Sequence, residues 1–366
     1  MTQPNYLPVF ELTRGDTIES LHFGAIAVVD PRDRLLAWVG NPQEVTFLRS
    51  SAKPLQVIPF IENGGIEAYQ LTQKELAILC ASHAGTDEHV ATLQAIQAKV
   101  GITENDLLCG LETPGHPPTA ERLRQRGEKP TPNRHNCSGN HTGILAYQRL
   151  KQARSDQFPV ELPYIDPQNP VQVDILAAFA GMCGLSPAEV QLGTDGCSIP
   201  TFAVPLRNAA LAYARLCDPT LIDACRATAC RKITASMLAH PDMVGGPDSF
   251  DTRLMRAAQG RVVSKGGAEG YQALGIFPGA IGLASPAMGI AIKISDGDLG
   301  GHSVPPAYNL GHARPAVALE VLRQLSLLSD QEIAPLSDYG PSFAIFNARK
   351  MGVGVGRPCF SLNRDG

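Results

Sequence analysis

Long apolar runs are missing from this sequence: none approaches the roughly 18 residues that a membrane-spanning helix requires, so no membrane partner is expected. Basic blocks are missing as well. The formal net charge of −4 is spread along 366 residues, and without a cluster of Lys and Arg, nucleic acid and anionic membrane are poor candidate partners. The opening Met1-Thr2-Gln3-Pro4-Asn5-Tyr6 shows no apolar stretch behind a positive cluster, so a secretory signal is not visible. Internal repeats and low-complexity stretches are also lacking. The nine cysteines, at 80, 109, 137, 183, 197, 217, 225, 230 and 359, include no C-x-x-C pair. An odd, scattered set of this kind reads as free thiols in a reducing cytoplasm, most of them small core residues.

What is present is a foldable globular composition. Hydrophobic residues make up 44% and charged residues 18%, enough for one large domain or two modest ones around a common cleft. Two apolar runs, His22 to Val29 and Leu35 to Val39, flank Asp30-Pro31-Arg32-Asp33 and predict strand, turn, strand. A helix is expected over Ser50 to Ile58, with Pro54 in its first turn. Thr72 with Glu75 forms a capping box, and Thr86 caps a helix that Gly101 ends. Further helices are expected over Gly143 to Gln152, Val171 to Met182, Thr201 to Leu216 and Leu221 to Leu238. After Gly260 the pattern changes to strands: Arg261 to Ser264, Tyr271 to Phe277, Ala280 to Leu283 and Met288 to Ile294. A helix over Pro315 to Leu328 and a strand over Phe343 to Phe346 complete the pattern. The expectation is a single α/β (α+β) domain over 1–366. A sheet subdomain comes from about 20–60 and 260–366, and a mostly helical subdomain over about 65–255 is inserted between its halves.

Four segments have the residue types for chemistry. In Arg49-Ser50-Ser51-Ala52-Lys53, a helix start would put Ser50 and Lys53 one turn apart on one face. A lysine made neutral in a dry cleft can take a serine proton. The same spacing alone also fits a capped helix with a surface lysine. In Ala81-Ser82-His83-Ala84-Gly85-Thr86, a serine among small residues sits between two helices, where capping is an equal reading. Val263-Ser264-Lys265-Gly266-Gly267 ends a strand in a lysine and two glycines that let a ligand approach the backbone. The order of these three follows the layout of penicillin-binding proteins and class A β-lactamases. Finally, His135-Asn136-Cys137-Ser138-Gly139-Asn140-His141 and Gly193-Thr194-Asp195-Gly196-Cys197 offer two thiols among polar residues. Their spacing gives zinc little support beside a reading as buried thiols.

Together these segments resemble the rhizobial-type, thermolabile L-asparaginase family over nearly the whole chain. The resemblance rests on Leu48-Arg49-Ser50-Ser51-Ala52-Lys53-Pro54, Ala81-Ser82-His83, Asn136-Cys137-Ser138-Gly139, Gly193-Thr194-Asp195-Gly196-Cys197 and Val263-Ser264-Lys265-Gly266-Gly267. It implies a fold similar to serine β-lactamases and glutaminases, a homodimer, no organic cofactor and two Ser-Lys pairs, Ser50 with Lys53 and Ser82 with Lys265. It also implies a zinc ion held by two cysteines and a lysine. The cysteines fall on Cys137 and Cys197, with Asp195 beside them, but the lysine position holds Asn140. An amide is a weak neutral oxygen donor, so zinc is expected to be absent, weaker, or completed by His135, His141 or water.

The expected reaction is hydrolysis of L-asparagine to L-aspartate and ammonia through a β-aspartyl ester. Ser50 is the candidate nucleophile and Lys53 its base. Ser82 and Lys265 would relay a proton to ammonia and bring positive charge near the substrate carboxylate. Backbone N–H groups near Ser50 or Gly266 are candidates for the oxyanion. Arg49, Asn140, His141 and Asp195 are candidates for gripping the substrate. A glutaminase or β-lactamase-like enzyme on the same layout is the alternative, because one methylene separates the two amides. A non-catalytic amino-acid or metal-binding descendant is another.

Overall fold

Strands drawn from both ends of the sequence share one sheet in the computed structural model, which describes residues 5–155, 158, 161–297 and 313–364. The strands are β1 (Leu7–Arg14), β2 (Thr17–Val29), β3 (Leu35–Val39), β4 (Val45–Phe47), β5 (Gln191–Thr194), β6 (Pro200–Pro205), β7 (Val262–Gly267), β8 (Tyr271–Ile276), β9 (Met288–Ile294), β10 (Phe343–Phe346) and β11 (Gly352–Pro358). The large sheet runs β10-β11-β1-β2-β9-β8-β7, with β3 on β2. The registered pairs in it are antiparallel, for example Ile26 with Ile292 and Ser264 with Leu274.

The chain divides into two compact units. One comprises Met1–Ser51, Val204–Leu221 and Leu254–Gly366, the other Ala52–Ala203 and Ile222–Arg253. The first holds the large sheet. The second is mostly helical, with α1 (Lys53–Gln56), α2 (Ile58–Glu62), α3 (Gly65–Tyr69), α4 (Gln73–Leu79), α5 (Asp87–Val100), α6 (Pro117–Arg126), α7 (Ser138–Gln152) and α8 (Pro170–Cys183). The chain then adds α9 (Leu206–Cys217), α10 (Ala224–Ala239), α11 (Pro241–Gly245), α12 (Phe250–Ala257) and α13 (Ala313–Gln324).

In the sheet unit, β8 is buried along its whole length and β9 at all but one position, so both faces must be covered. Helix α9 lies against β8, β9 and β2. Its approach depends on Gly289, where an added Cβ would fall 1.7 Å from the Ala210 carbonyl oxygen. Helix α13 serves the other face. Its Arg314 donates to Gln272 at 2.6 Å, and Gln272 points opposite to Gly275, which faces α9, because side chains alternate along a strand.

The expected capping box forms in the helical unit. The Thr72 N–H donates to Glu75 Oε2 at 2.7 Å, and the Glu75 N–H donates to Thr72 Oγ1 at 3.3 Å. Thr86 caps α5, which stops at Gly101 in the left-handed region. Two expectations need correction. Residues 201–205 are strand, not the start of a helix, and α9 begins only after Pro205 supplies an extended residue. Ala280 to Leu283 form turns rather than a strand, closed by the Gly279 N–H donating to the Ser285 carbonyl at 2.9 Å.

Candidate active site

In the helical unit the site is built around Lys53, whose side chain is 2% exposed. A 3-10 turn over Arg49–Ala52 runs directly into α1, with Pro54 in the first turn where no N–H is needed. The residues at 50 and 53 are thus three positions apart in continuous helical chain. Lys53 Nζ donates to Ser82 Oγ at 2.9 Å and to Cys137 Sγ at 3.1 Å. Cys137 occupies the N-cap position of α7.

Ser82 is held by its neighbours along the loop between α4 and α5. Its N–H donates to the Val244 carbonyl at 3.0 Å, and the His83 N–H donates to the Asn136 carbonyl at 3.1 Å. The Gly85 N–H donates to His83 Nδ1 at 3.1 Å. The His83 proton therefore sits on Nε2 and is donated to Ser138 Oγ at 2.9 Å. Ser138 in turn donates to the Asn133 carbonyl at 3.1 Å. Burial, with His89, Lys53 and His135 nearby, keeps the His83 imidazole neutral far below its usual range. This chain ties the Ser82 loop to the start of α7, and so the two partners of Lys53 to each other.

Cys197 lies in the turn between β5 and β6, where Ser198 takes a left-handed φ of 76° and its N–H donates to the Asp195 carbonyl at 2.8 Å. The Cys197 thiol donates to Cys137 Sγ. That bond, with the Lys53 amine beside it, holds Cys137 well below the ordinary thiol range against the opposing effect of burial. The same bond, followed by burial, pushes the Cys197 thiol up. Cys137 Sγ is also 2.7 Å from Asn136 Oδ1, to which its thiol donates when protonated.

His141 is fully buried. The Leu108 N–H donates to Tyr164 Oη at 2.6 Å, and Tyr164 Oη is hydrogen-bonded to His141 Nδ1 at 2.7 Å. His141 Nε2 is buried and meets no hydrogen-bond partner among the described residues. Burial pulls the His141 pKa down to about 3, so the imidazole is neutral. Asp195 is close enough to act on the charge of both His141 and Cys197. Asn140 is 2% exposed, with an amide oxygen that also lacks a partner among the described residues.

In the sheet unit, Ser50 is half-buried and follows Arg49, whose left-handed φ of 51° is uncommon for a side chain of its size. Ser51 is fully buried and donates from Oγ to the Lys265 carbonyl at 2.7 Å. Tyr213 Oη donates to the Ser51 carbonyl at 2.8 Å. The Lys265 side chain, 1% exposed at the end of β7, donates to the Gly266 carbonyl at 2.7 Å. Gly267 permits the contact between β7 and this turn, since a Cβ there would fall 2.4 Å from the Leu48 carbonyl oxygen.

Lys53, Ser82, Cys137, Cys197, Asn140, His141 and Asp195 thus belong to one unit, and Arg49, Ser50, Lys265 and Gly266 to the other. Sequence reasoning missed Ser51, Tyr164 and the His83–Ser138 link. His83 and Ser138 adjoin the chosen residues, whereas nothing local marks Tyr164.

The two sulfurs do not amount to a zinc donor set. Zinc sites use three or four protein ligands, and among the described residues no three His, Cys, Asp or Glu converge. The third position is the neutral amide of Asn140, so no step is routed through a metal.

The family model described as L-asparaginase II matches residues 10–357. No curated protein matches the chain. Among solved structures, the Bacillus subtilis glutaminase in covalent complex with 5-oxo-L-norleucine is 12% identical. It covers 84% of this chain and 89% of its own, at a TM-score of 0.37. A Bacillus glutaminase determined in 4.3 M NaCl is 11% identical, with 83% and 91% covered and a TM-score of 0.36. Overlaps this loose carry no argument about chemistry.

Proposed function

Because this chain belongs to the L-asparaginase II family, an amidohydrolase family, we propose that it hydrolyses L-asparagine to L-aspartate and ammonia by Ser-Lys catalysis. Ser50 Oγ attacks the side-chain carbonyl carbon, and the amide π electrons move to oxygen. Lys53, in its neutral form, accepts the Ser50 proton. The C–N bond then breaks. The departing nitrogen takes a proton from Lys53 through Ser82 and leaves as ammonia, giving a β-aspartyl ester. Water attacks this ester with Lys53 again accepting a proton, and Ser50 regains its own as aspartate leaves.

The observation that carries this reading is Lys53 Nζ at 2.9 Å from Ser82 Oγ, in a pocket where Lys53 is nearly water-free. A base and a hydroxyl at that distance can pass a proton without rearrangement. Lys265 is assigned to the substrate carboxylate, the N–H groups near Ser50 and Gly266 to the oxyanion. The neutral His141 imidazole, Asp195 and Arg49 are assigned to the amino-acid end of the substrate.

The test is ammonia release from asparagine by wild type, Ser50→Ala and Ser82→Ala, with glutamine measured beside it. The reading requires turnover of asparagine by wild type, loss of it in Ser50→Ala, and a lowered but measurable rate in Ser82→Ala. An acyl adduct trapped on Ser82 would reverse the serine roles, and turnover of glutamine alone would replace the substrate.

A further inference from the structure

One helical turn behind Lys53 and Cys137, the same two segments present a second pair of side chains. Gln56 follows Lys53 by three residues in α1, and Asn140 follows Cys137 by three in α7. Both are buried, at 5% and 2% exposure. Both line one cavity of about 10 Å³, whose walls are otherwise mostly aliphatic and aromatic: Val57, Phe60, Leu79, Ile144 and Ile175. The amide oxygens of both, Gln56 Oε1 and Asn140 Oδ1, are buried and meet no donor among the described residues. The hydroxyl of Tyr147, also on the cavity, is engaged elsewhere: it donates to Asp174 at 2.6 Å and accepts from Asn63 at 3.0 Å.

Two orphaned acceptors on a single small cavity call for one small molecule with two donors. About 10 Å³ is close to the space one water needs, and water has two O–H groups for two carbonyl oxygens. A cation is disfavoured, because the walls offer no counter-charge and the cost of burying an unpaired ion is high. We propose that this cavity is a binding site for a single water, bridging Gln56 Oε1 and Asn140 Oδ1. The water ties the ends of α1 and the first turn of α7 together and so fixes the reach of Lys53 to Cys137 and Ser82. Gln56 and Asn140 are on this account positioning residues. Asn140 acts on the reaction through Lys53 rather than by touching the substrate.

The direct test is a crystal structure of the full chain at a resolution that shows ordered water, with a parallel crystal soaked in a thallium(I) salt. A single density peak within hydrogen-bond distance of both oxygens, with no anomalous thallium signal, is expected. No peak, or a thallium peak marking a cation site, would overturn the proposal. A second test uses Gln56→Leu, Asn140→Leu and the double variant. Removing one acceptor strands the water and the other acceptor, whereas removing both leaves an apolar site. Each single variant is therefore expected to lower the melting temperature by about 2–4 °C, and the double variant by less than the sum. Strict additivity would count against a shared water. The kinetic arm rests on the asparaginase reading: each single variant is expected to lose roughly 10–100-fold in kcat with KM unchanged. A raised KM at constant kcat would make Asn140 a substrate contact instead. The crystallographic and melting arms stand or fall without any activity, so failure of the water site and failure of the asparaginase reading are distinguishable.

Discussion

The hydroxyl of Ser51 donates to the backbone carbonyl of Lys265 across 2.7 Å, binding the turn that carries Ser50 to the strand that carries the second lysine. Ser51 is fully buried and its own carbonyl accepts from Tyr213, so it braces both segments without being available to react. Replacing it by alanine removes this buried hydrogen bond, at about 0.5–1.5 kcal/mol. Ser51→Ala is expected to fold, to melt several degrees lower, and to lose roughly tenfold or more in kcat through misplacement of Ser50. Thermal melts and steady-state ammonia release would check this. Unchanged kcat would mean that the brace serves stability alone.

Lys53→Met keeps the length and packing of the side chain and removes its amine. It is expected to lower kcat by about 10²–10⁴-fold. The change also takes a donor from Cys137, so the Cys137 thiol should titrate higher. Thiolate absorbance followed against pH would read that shift independently of turnover.

Stability is expected to fall as the solution becomes acidic below about pH 6.5, the ordinary histidine range. His83 and His89 are both held below their usual range by burial, and His141 is brought to about 3 by the same cause. In the unfolded chain each takes a proton near pH 6.5, while in the folded chain none does until lower pH. The unfolded state therefore binds more protons in this window, and each such histidine removes up to ~1.4 kcal/mol per pH unit of descent. The contribution is complete above the unfolded value and is lost on the way down to the folded one. Melting temperatures from pH 8 to pH 5 would follow it, and His141→Gln should flatten the slope.

Gly289→Ala would set a methyl carbon 1.7 Å from the Ala210 carbonyl oxygen in α9. A backbone atom cannot swing aside as a side-chain end can, so helix and strand must separate. The expected loss is about 3 kcal/mol or more, visible as a large drop in denaturation midpoint. A near-native midpoint would show that α9 can shift on the sheet.

The parts of this architecture that were legible in the sequence are those with local causes. The apolar runs of Ile26 to Val29 and Tyr271 to Ile276, the Thr72–Glu75 capping box and Gly101 each mark their element without help from elsewhere. Strands β1 and β11 escaped because their pairing is remote: Phe10 lies opposite Pro358 and Leu12 opposite Gly356. The run Gly352-Val353-Gly354-Val355-Gly356 has little strand preference of its own. Glycine is needed at 354, where a Cβ would fall 1.9 Å from the Thr13 carbonyl oxygen. Thr201 to Pro205 reads as helix-compatible until its pairing with Gln191 to Thr194 is seen. In the helical unit, Lys53 and Ser82 each stand in a segment that the sequence marks, as Ser50 and Lys265 do in the sheet unit. The contact of Lys53 with Cys137 was not, because spacing says nothing of residues 84 positions apart.

The placement of β1 between β2 and β11 has a consequence for synthesis on the ribosome. The hairpin of β1 and β2 is made early, yet the far edge of β1 finds no partner until residues 352–358 have been added. Throughout that interval a nascent strand exposes unpaired backbone groups, a template for pairing with neighbouring chains on the same message. Translation speed and holdase chaperones that cover β1 should therefore govern the yield of soluble protein more than the stability of the finished sheet does.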